Sequence, residues 1–259
     1  MLKSFLSHPL TRGIDLNSPE TTYLRRRIIQ EKKFLQRIYE EWYQSLVNSI
    51  PEREGIVLEI GSGAGFLKKF FPDVMTSECF SLNNIDMVID ARNLPFVDES
   101  LKAIVMTNVF HHLPQPMLFL REAARCLVPG GVVAMVEPWV TPWSRFVYSK
   151  LHHEPFHPEE QKWEFESEGP LSGANGALPW IVFQRDRKQF EIEFSQLRIS
   201  NIEPMMPFRY LLSGGLSLIS LQPGWTFRFW RFLESLLARW MDECAMYAKI
   251  ALVREEQNG

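Results

Sequence analysis

Apolar residues recur every three or four positions through Leu24, Ile28, Leu35, Ile38, Trp42 and Leu46, the period of a helix with one buried face. Ser18-Pro19-Glu20 supplies a hydroxyl cap, a proline at the first helical position and an acid in the first turn. The spacing predicts one helix from Pro19 to near Pro51, with Arg25, Arg26 and Arg27 on its solvated side or forming a basic docking site. The pattern then changes. Residues 56–60 (IVLEI) read as a short buried strand, followed at once by Gly61-Ser62-Gly63-Ala64-Gly65 and an apolar helix over residues 66–71. Further strands are predicted over 74–78, 87–89, 102–108 and 131–137. A helix is predicted over 116–127, ended by Pro129-Gly130-Gly131. Nearly all-apolar strands alternating with helices imply a parallel sheet covered on both faces, so the fold class is α/β and doubly wound.

After Glu137 this rhythm breaks. Residues 138–190 hold clustered Pro, Gly, Trp and His without a clean period. A strand over 194–202, a helix over 225–241 and a last strand over 245–253 follow. The apolar run 210–221 is too short to span a bilayer and is expected to be buried or substrate-facing. The 225–241 helix carries Arg228, Arg231, Glu234 and Arg239 among aromatics. A core-packed amphipathic helix is expected, and the alternative is a helix lying on lipid, which would make the chain a peripheral membrane enzyme.

Composition narrows the function. The 259 residues fit one α/β domain with additions, and 46% hydrophobic with 23% charged residues is globular. A net charge of −3 gives no electrostatic footprint for nucleic acid. Three cysteines without a CxxC pair point to a reduced, cytoplasmic chain. Pro9 and Arg12 interrupt any signal-peptide core. Of the 8 tryptophans, only Trp42 precedes position 139, so the two halves of the chain have different tasks.

A glycine-rich turn leaving a buried strand lets backbone amides approach a ligand closely. Phe66 stands where the third glycine of a dinucleotide fingerprint would be, and no Gly-Lys-Ser/Thr of a phosphate loop follows. The loop is built for close approach to something other than a pyrophosphate.

VLEIGSGAG resembles motif I of the class I S-adenosylmethionine (SAM) dependent methyltransferases, of the type-11-like group. The resemblance continues in order. Glu78 stands where the family has the acid at the end of its second strand. DARNLPF (90–96) resembles the segment beside the adenine. NVFHHL (108–113) resembles the motif after the fourth strand, and RCLVPGG (125–131) the turn before the fifth. It covers residues 55–138. It implies a mostly parallel seven-stranded sheet with an antiparallel last strand, an N-terminal helix and an insertion after strand 5. It also implies SAM as cofactor and S-adenosylhomocysteine as product. The implied cofactor residues are Glu59, Gly61, Ser62, Gly63, Gly65, Glu78, Asp90, Ala91 and Asn108, with Glu78 on the ribose hydroxyls, Asp90 and Ala91 on the adenine, and Leu94 and Phe96 as its walls. Glu59 has the alternative of only holding the loop, Asp90 of capping a turn, and Glu78 of being a surface acid. The expected division is a helical segment (1–54), the SAM-binding core (55–138), a substrate-side insertion (139–193) and strands and helix completing the same domain (194–259). Only seven residues separate Glu78 from Asp86, so the helix that a parallel crossover usually contains must be missing or reduced to a loop.

His111 and His112 follow the fourth strand, where ligands bind in open α/β sheets, and the resemblance puts them near the sulfonium. They are candidates for a general base, with loop orientation as the alternative. His152, His153 and His157 form a second cluster, but Pro155 and Pro158 break the helix a metal pair would need, so no metal is expected and the cluster reads as a surface loop, with a place in the substrate pocket as the alternative. The Trp-rich remainder is expected to form the pocket of a small or lipid-like methyl acceptor, its own core, or both. A non-catalytic SAM-binding interaction protein is the rival function.

Overall fold

The structure is a computed structural model that describes residues 18–151, 154–167, 169 and 173–256. Helix α1 (Pro19–Glu31) starts as expected: the Ser18 side chain accepts the Glu20 amide and Pro19 opens the first turn. The single long helix does not form. Lys32, with φ −88° and ψ 85°, breaks it, and α2 (Lys33–Val47) continues in a new direction. The cause is a tertiary contact. The buried Lys32 ammonium turns inward and donates to the carbonyls of Gly215 and of Leu218, the latter at 2.8 Å.

Strands β1 (Ile56–Ile60), β2 (Met75–Glu78), β3 (Met87–Val88), β4 (Leu101–Thr107), β5 (Leu127–Pro138), β6 (Leu197–Met205) and β7 (Tyr247–Arg254) form one sheet in the order β3-β2-β1-β4-β5-β7-β6. The first five pair in parallel, and β7 is antiparallel to both β5 and β6. This is the doubly wound, mixed seven-stranded architecture expected from the alternating pattern. Side chains alternate across it. Ile104, Met106, Val133 and Met135 face a core made with Phe119 and Leu120 of α3 (Pro116–Cys126) and with Phe183 and Phe190. Ala103, Val105, Ala134 and Val136 face Leu35, Ile38, Trp42, Tyr43 and Leu46 of α2.

Two crossovers depart from the usual plan. The helix expected over 66–71 is one 3₁₀ turn, Leu67–Lys69, because Phe66 leaves helical geometry at φ −148° and ψ 34°. Between β2 and β3 there is only a loop. Asp86 closes it: its carboxylate accepts the Thr76 amide and hydroxyl, both at 2.8 Å, and the Lys68 ammonium at 2.7 Å. The N-terminal helix α2 therefore packs against Phe66, Leu67 and Phe70 and covers the sheet face that crossover helices would otherwise share.

The remaining helices are α4 (Pro142–Leu151), α5 (Leu178–Trp180, continuing as a π-helical turn through Arg185), α6 (Arg187–Glu193), α7 (Arg209–Ser213), α8 (Phe227–Ser235) and α9 (Met241–Cys244). The helix expected over 225–241 is thus broken. The predicted strand at 194–202 begins at Leu197 and extends to Met205, since Phe194 still ends α6. Likewise Pro129-Gly130-Gly131 does not lie outside the sheet. β5 already starts at Leu127, and left-handed Gly130 accompanies a register shift in its pairing with β4.

Candidate functional site at the carboxyl ends of the parallel strands

A cavity of about 740 Å³ opens where β1, β2 and β4 end, the position that an open α/β sheet leaves for ligands. Its wall brings together eight of the expected residues: Glu59, Gly61, Gly65, Glu78, Asp90, Ala91, Asn108 and His112. Ser62, Gly63 and His111 stand behind that wall.

The glycine loop is pinned from below. The Ser62 amide donates to the Ser77 carbonyl at 2.9 Å, and the Ser62 hydroxyl to the Glu59 carbonyl at 3.2 Å. The Ser77 amide donates back to the Ser62 hydroxyl at 3.1 Å. Ser62 therefore ties the loop to β2 and does not present its side chain to the cavity. Gly61 has φ +71°, and a Cβ there would lie 2.3 Å from Val109 Cγ2. Gly63 donates its amide to Glu78 Oε2 at 3.2 Å, and a Cβ on it would lie 2.7 Å from the same oxygen. No side chain fits at either position, which is the physical content of the glycine spacing.

Glu78 is buried, and its other oxygen accepts the Cys79 amide at 3.0 Å. Its carboxylate thus reaches the cavity with a fixed orientation. Asp90 is half exposed and accepts the Arg92 guanidinium on both oxygens, at 2.8 to 3.1 Å, together with the Arg92 amide at 2.9 Å. These contacts hold its carboxyl below the usual range. The Asx-type turn and the cavity wall are both present at Asp90. Leu94 and Phe96 do not wall the cavity: Leu94 is buried in the main core and Phe96 packs on it. Val88, Ile89, Leu113 and Pro114 supply the apolar wall instead, because the short loop after β2 brings β3 itself to the site.

Glu59 is buried, and its carboxyl is pushed up to about 7 by loss of hydration. Asn108 adopts a left-handed φ of +57°, a conformation Asn tolerates better than most residues. Its amide donates to the Val136 carbonyl at 2.9 Å, and its side chain meets the Tyr39 hydroxyl. Thr107 Oγ1, buried in the same wall, has no partner among the described residues.

Behind the wall lies a carboxylate that the expected set omitted. Glu137, fully buried at the end of β5, accepts the Val109 and Phe110 amides at 2.8 Å each and His111 Nδ1 at 2.6 Å. His111 Nε2 stands 3.7 Å from Glu154. Burial alone would lower the His111 imidazole, but the two carboxylates overcome it and raise it to about 9. His112 is lowered to about 4, by burial and by the neighbouring His111 charge, while its Nδ1 lies 3.0 Å from the Gly173 carbonyl. The pair divides: a charged His111 that organises the loop and a neutral His112 on the cavity wall. His111, His112 and Glu154 bring donor atoms within 4.8 Å of one another. The signal for Glu137 was available, since an acid closing an apolar strand at 131–137 repeats the logic of Glu78. Glu154 carried no comparable signal.

Of the second histidine cluster only His157 lies among the described residues. His157 is exposed, with its amide on Asn175 Oδ1 at 3.0 Å, while His152 and His153 lie outside the described residues. The tryptophans of the later half are core and surface: Trp139 and Trp163 are buried in the main core, and no Trp lines the cavity. From the N-terminal segment come Thr22, Arg25, Tyr39 and Tyr43, so Arg25 is a cavity residue rather than part of a solvated run. Leu216, from the run 210–221, lines it too.

The sequence family described as "Methyltransferase domain" matches residues 58–135, the stretch holding β1 to β5 and the glycine loop. A chain of the complex between the Haloferax volcanii Trm112 methyltransferase activator and a methyltransferase is 13% identical. That match covers 95% of this chain and 100% of the other, with a TM-score of 0.52. Geranyl diphosphate C-methyltransferase from Streptomyces coelicolor A3(2) is 15% identical over 96% and 91% of the two chains, TM-score 0.48. YcgJ of the Bacillus subtilis structure is 17% identical over 84% and 99%, TM-score 0.47. The fold is that of the class I methyltransferases. Residues 58–135, at the centre of that fold, match a methyltransferase domain, which supports an enzyme whose methyl donor is SAM.

Proposed function

We propose that the cavity at the ends of β1, β2 and β4 holds SAM through the expected residues, and that the acceptor is a small or lipid-like molecule. The observation that carries this is Glu78, a buried carboxylate fixed beside the glycine loop and reaching a cavity of about 740 Å³, within the size of small-molecule sites. The donor set fits the cofactor. Glu78 offers paired acceptors to a diol, the Ala91 backbone and Asp90 flank the apolar wall of Val88 and Ile89, and Thr107 brings an unpartnered hydroxyl. SAM supplies a methyl group on a positively charged sulfur to an O, N or activated C nucleophile.

The chain's own contribution is binding, orientation and the exclusion of water. Gly61 and Gly65 leave the cavity side of the loop with no side chain larger than the Ala64 methyl. Asn108 and Tyr39 hold each other at the wall, and His111 with Glu137 fixes the turn that carries Asn108 and His112. His112, neutral at pH 7, offers the acceptor side a hydrogen-bonding ring. A folded value near 4 makes it a weak base, so orientation is its primary role, and His111 acts through the loop. The three cysteines are free, which supports a cytoplasmic setting. Among the described residues no helix is long and apolar enough to cross a membrane.

Titration calorimetry with S-adenosylhomocysteine tests the site. The chain is expected to bind, and Gly63→Asp, which sets a second carboxylate against Glu78, is expected to lose binding. Absence of binding by the unaltered chain, or equal binding by a folded Gly63→Asp, overturns the assignment.

A further inference from the structure

Helix α8 and its flanks present their most hydrophobic side chains outward. Trp225, Phe229, Phe232, Leu236 and Trp240 follow one another at steps of four, three, four and four residues, and they are 80, 57, 60, 58 and 45% exposed. Phe229 and Phe232 lie on α8 itself, Trp225 and Leu236 at its two ends, and Trp240 on the 3₁₀ turn that follows, so the exposed stripe lines a run of consecutive short turns. The expectation of a core-packed helix fails for a clear reason: another face of the same helix is the one that is docked. Phe227 is buried edge-on against Phe34 with centroids 5.4 Å apart, and the Arg209 guanidinium lies 4.9 Å from its centroid. Buried Glu234 accepts the amides of Phe208 and Arg209 at 3.0 and 2.8 Å and pairs with the Arg209 side chain. Arg209 in turn grips Glu41 of α2 with both terminal nitrogens, at 2.8 and 2.9 Å. The helix is anchored through one face, so the other is held outward by construction.

The exposed charges within the stripe's own span are all arginine, one of which, Arg231, also lies 3.8 Å from Glu41 of α2. Arg228, Arg231 and Arg239 are exposed, while the only acid from Gly224 to Trp240 is Glu234, buried and neutralised by Arg209. Arg239 stacks on Trp240 at 4.0 Å from its centroid. Asp242 and Glu243 come just beyond the end of the stripe. A chain of net charge −3 thus carries a locally basic, aromatic surface. Aromatics ringed by arginine match the headgroup boundary of an anionic bilayer. A second copy fits less well, because a two-fold axis through the stripe would set the same arginines against one another. The surface also adjoins the site: α8 packs on α7, and the segment after α7 brings Leu216 to the cavity wall.

We propose that the stripe from Trp225 to Trp240 seats the protein on a membrane surface bearing anionic headgroups, with its cavity close to the lipid. This deepens the methyltransferase reading, on which it rests for the use of the surface, by making the acceptor a membrane-resident lipid.

The test is co-sedimentation of the full chain with phosphatidylcholine vesicles, with and without phosphatidylglycerol, alongside S-adenosylhomocysteine titration of every variant. Binding is expected with phosphatidylglycerol and should weaken with salt. Phe229→Ser/Phe232→Ser should bind at least roughly tenfold more weakly, and Arg228→Glu/Arg231→Glu by about fivefold or more per arginine. Both pairs lie away from the cavity, so their S-adenosylhomocysteine titrations should match the unaltered chain and show that the fold is intact. No vesicle binding by the unaltered chain, or equal binding by the folded Phe pair, overturns the proposal. So does a dimer in sedimentation equilibrium that the Phe pair converts to monomer, which would assign the stripe to a second copy. Vesicle binding without S-adenosylhomocysteine binding leaves the surface standing and sinks the site instead.

Discussion

His111 Nδ1 lies 2.6 Å from Glu137 Oε2, and neither residue is more than 2% exposed. The contact joins the end of β5 to the turn after β4. Because the folded imidazole is raised to about 9 from an ordinary 6.5, its contribution to stability is complete below pH 6.5. It is lost as pH rises through 9. Glu137→Gln should remove that slope and cost about 3 kcal/mol near neutral pH, the scale of breaking a buried pair. Urea unfolding at pH 6, 7.5 and 9 checks both, and a variant that keeps the slope would separate it from this pair.

Glu59 acts in the same direction for a different reason. Its carboxyl is raised from 4.5 to about 7 by burial, so the folded state binds more protons and stability falls as pH rises through that interval. Glu59→Gln should flatten the decline and leave the protein more stable than the parent above pH 7. Thermal melts of the two proteins between pH 5 and 8 measure the difference.

Glu78 should matter to ligand more than to fold. Glu78→Gln keeps an oxygen for the Gly63 amide but loses one charged acceptor. The expected result is about 10- to 100-fold weaker S-adenosylhomocysteine binding, the scale of a charge-assisted hydrogen bond. The melting temperature should fall modestly, because the Cys79 amide loses its acceptor. Calorimetry reads the first and a thermal scan the second.

Arg209 connects three helices through Glu41 and Glu234. Glu234→Ala leaves that guanidinium half paired and two amides without acceptors, at an expected cost of about 3–5 kcal/mol. Arg228→Ala, an exposed arginine of the same helix, should cost well under 1 kcal/mol. A denaturant midpoint for each variant distinguishes the buried network from the surface charge.

The parallel strands and the glycine loop were legible because each is governed locally, by an all-apolar run and by positions where no Cβ fits. Glu78 was legible because it closes such a run. The break at Lys32 was not, since its cause is a pair of carbonyls about 185 residues away. The same distance effect hid Glu154 beside His111 and placed Arg25 at the cavity. The shortening of 66–71 to one turn was also invisible, because an apolar run of six reads alike as a buried helix or a packed turn. Helical spacing from Trp225 onward marked the stripe, but spacing does not say which face docks. Phe227 and Glu234 decide that, through partners on α2 and α7.

One relationship in the sheet bears on how the chain is made. β7 lies between β5 and β6, although it is synthesised after both. A chain stopped at residue 246 would therefore lose an interior joint and not a trimming from an edge. β6 would have nothing to pair with, and β5 would carry an open flank of Val133, Ala134 and Met135. Such unpaired strands are where incomplete chains associate and are recognised for removal, and the sheet closes only once its last strand has been added.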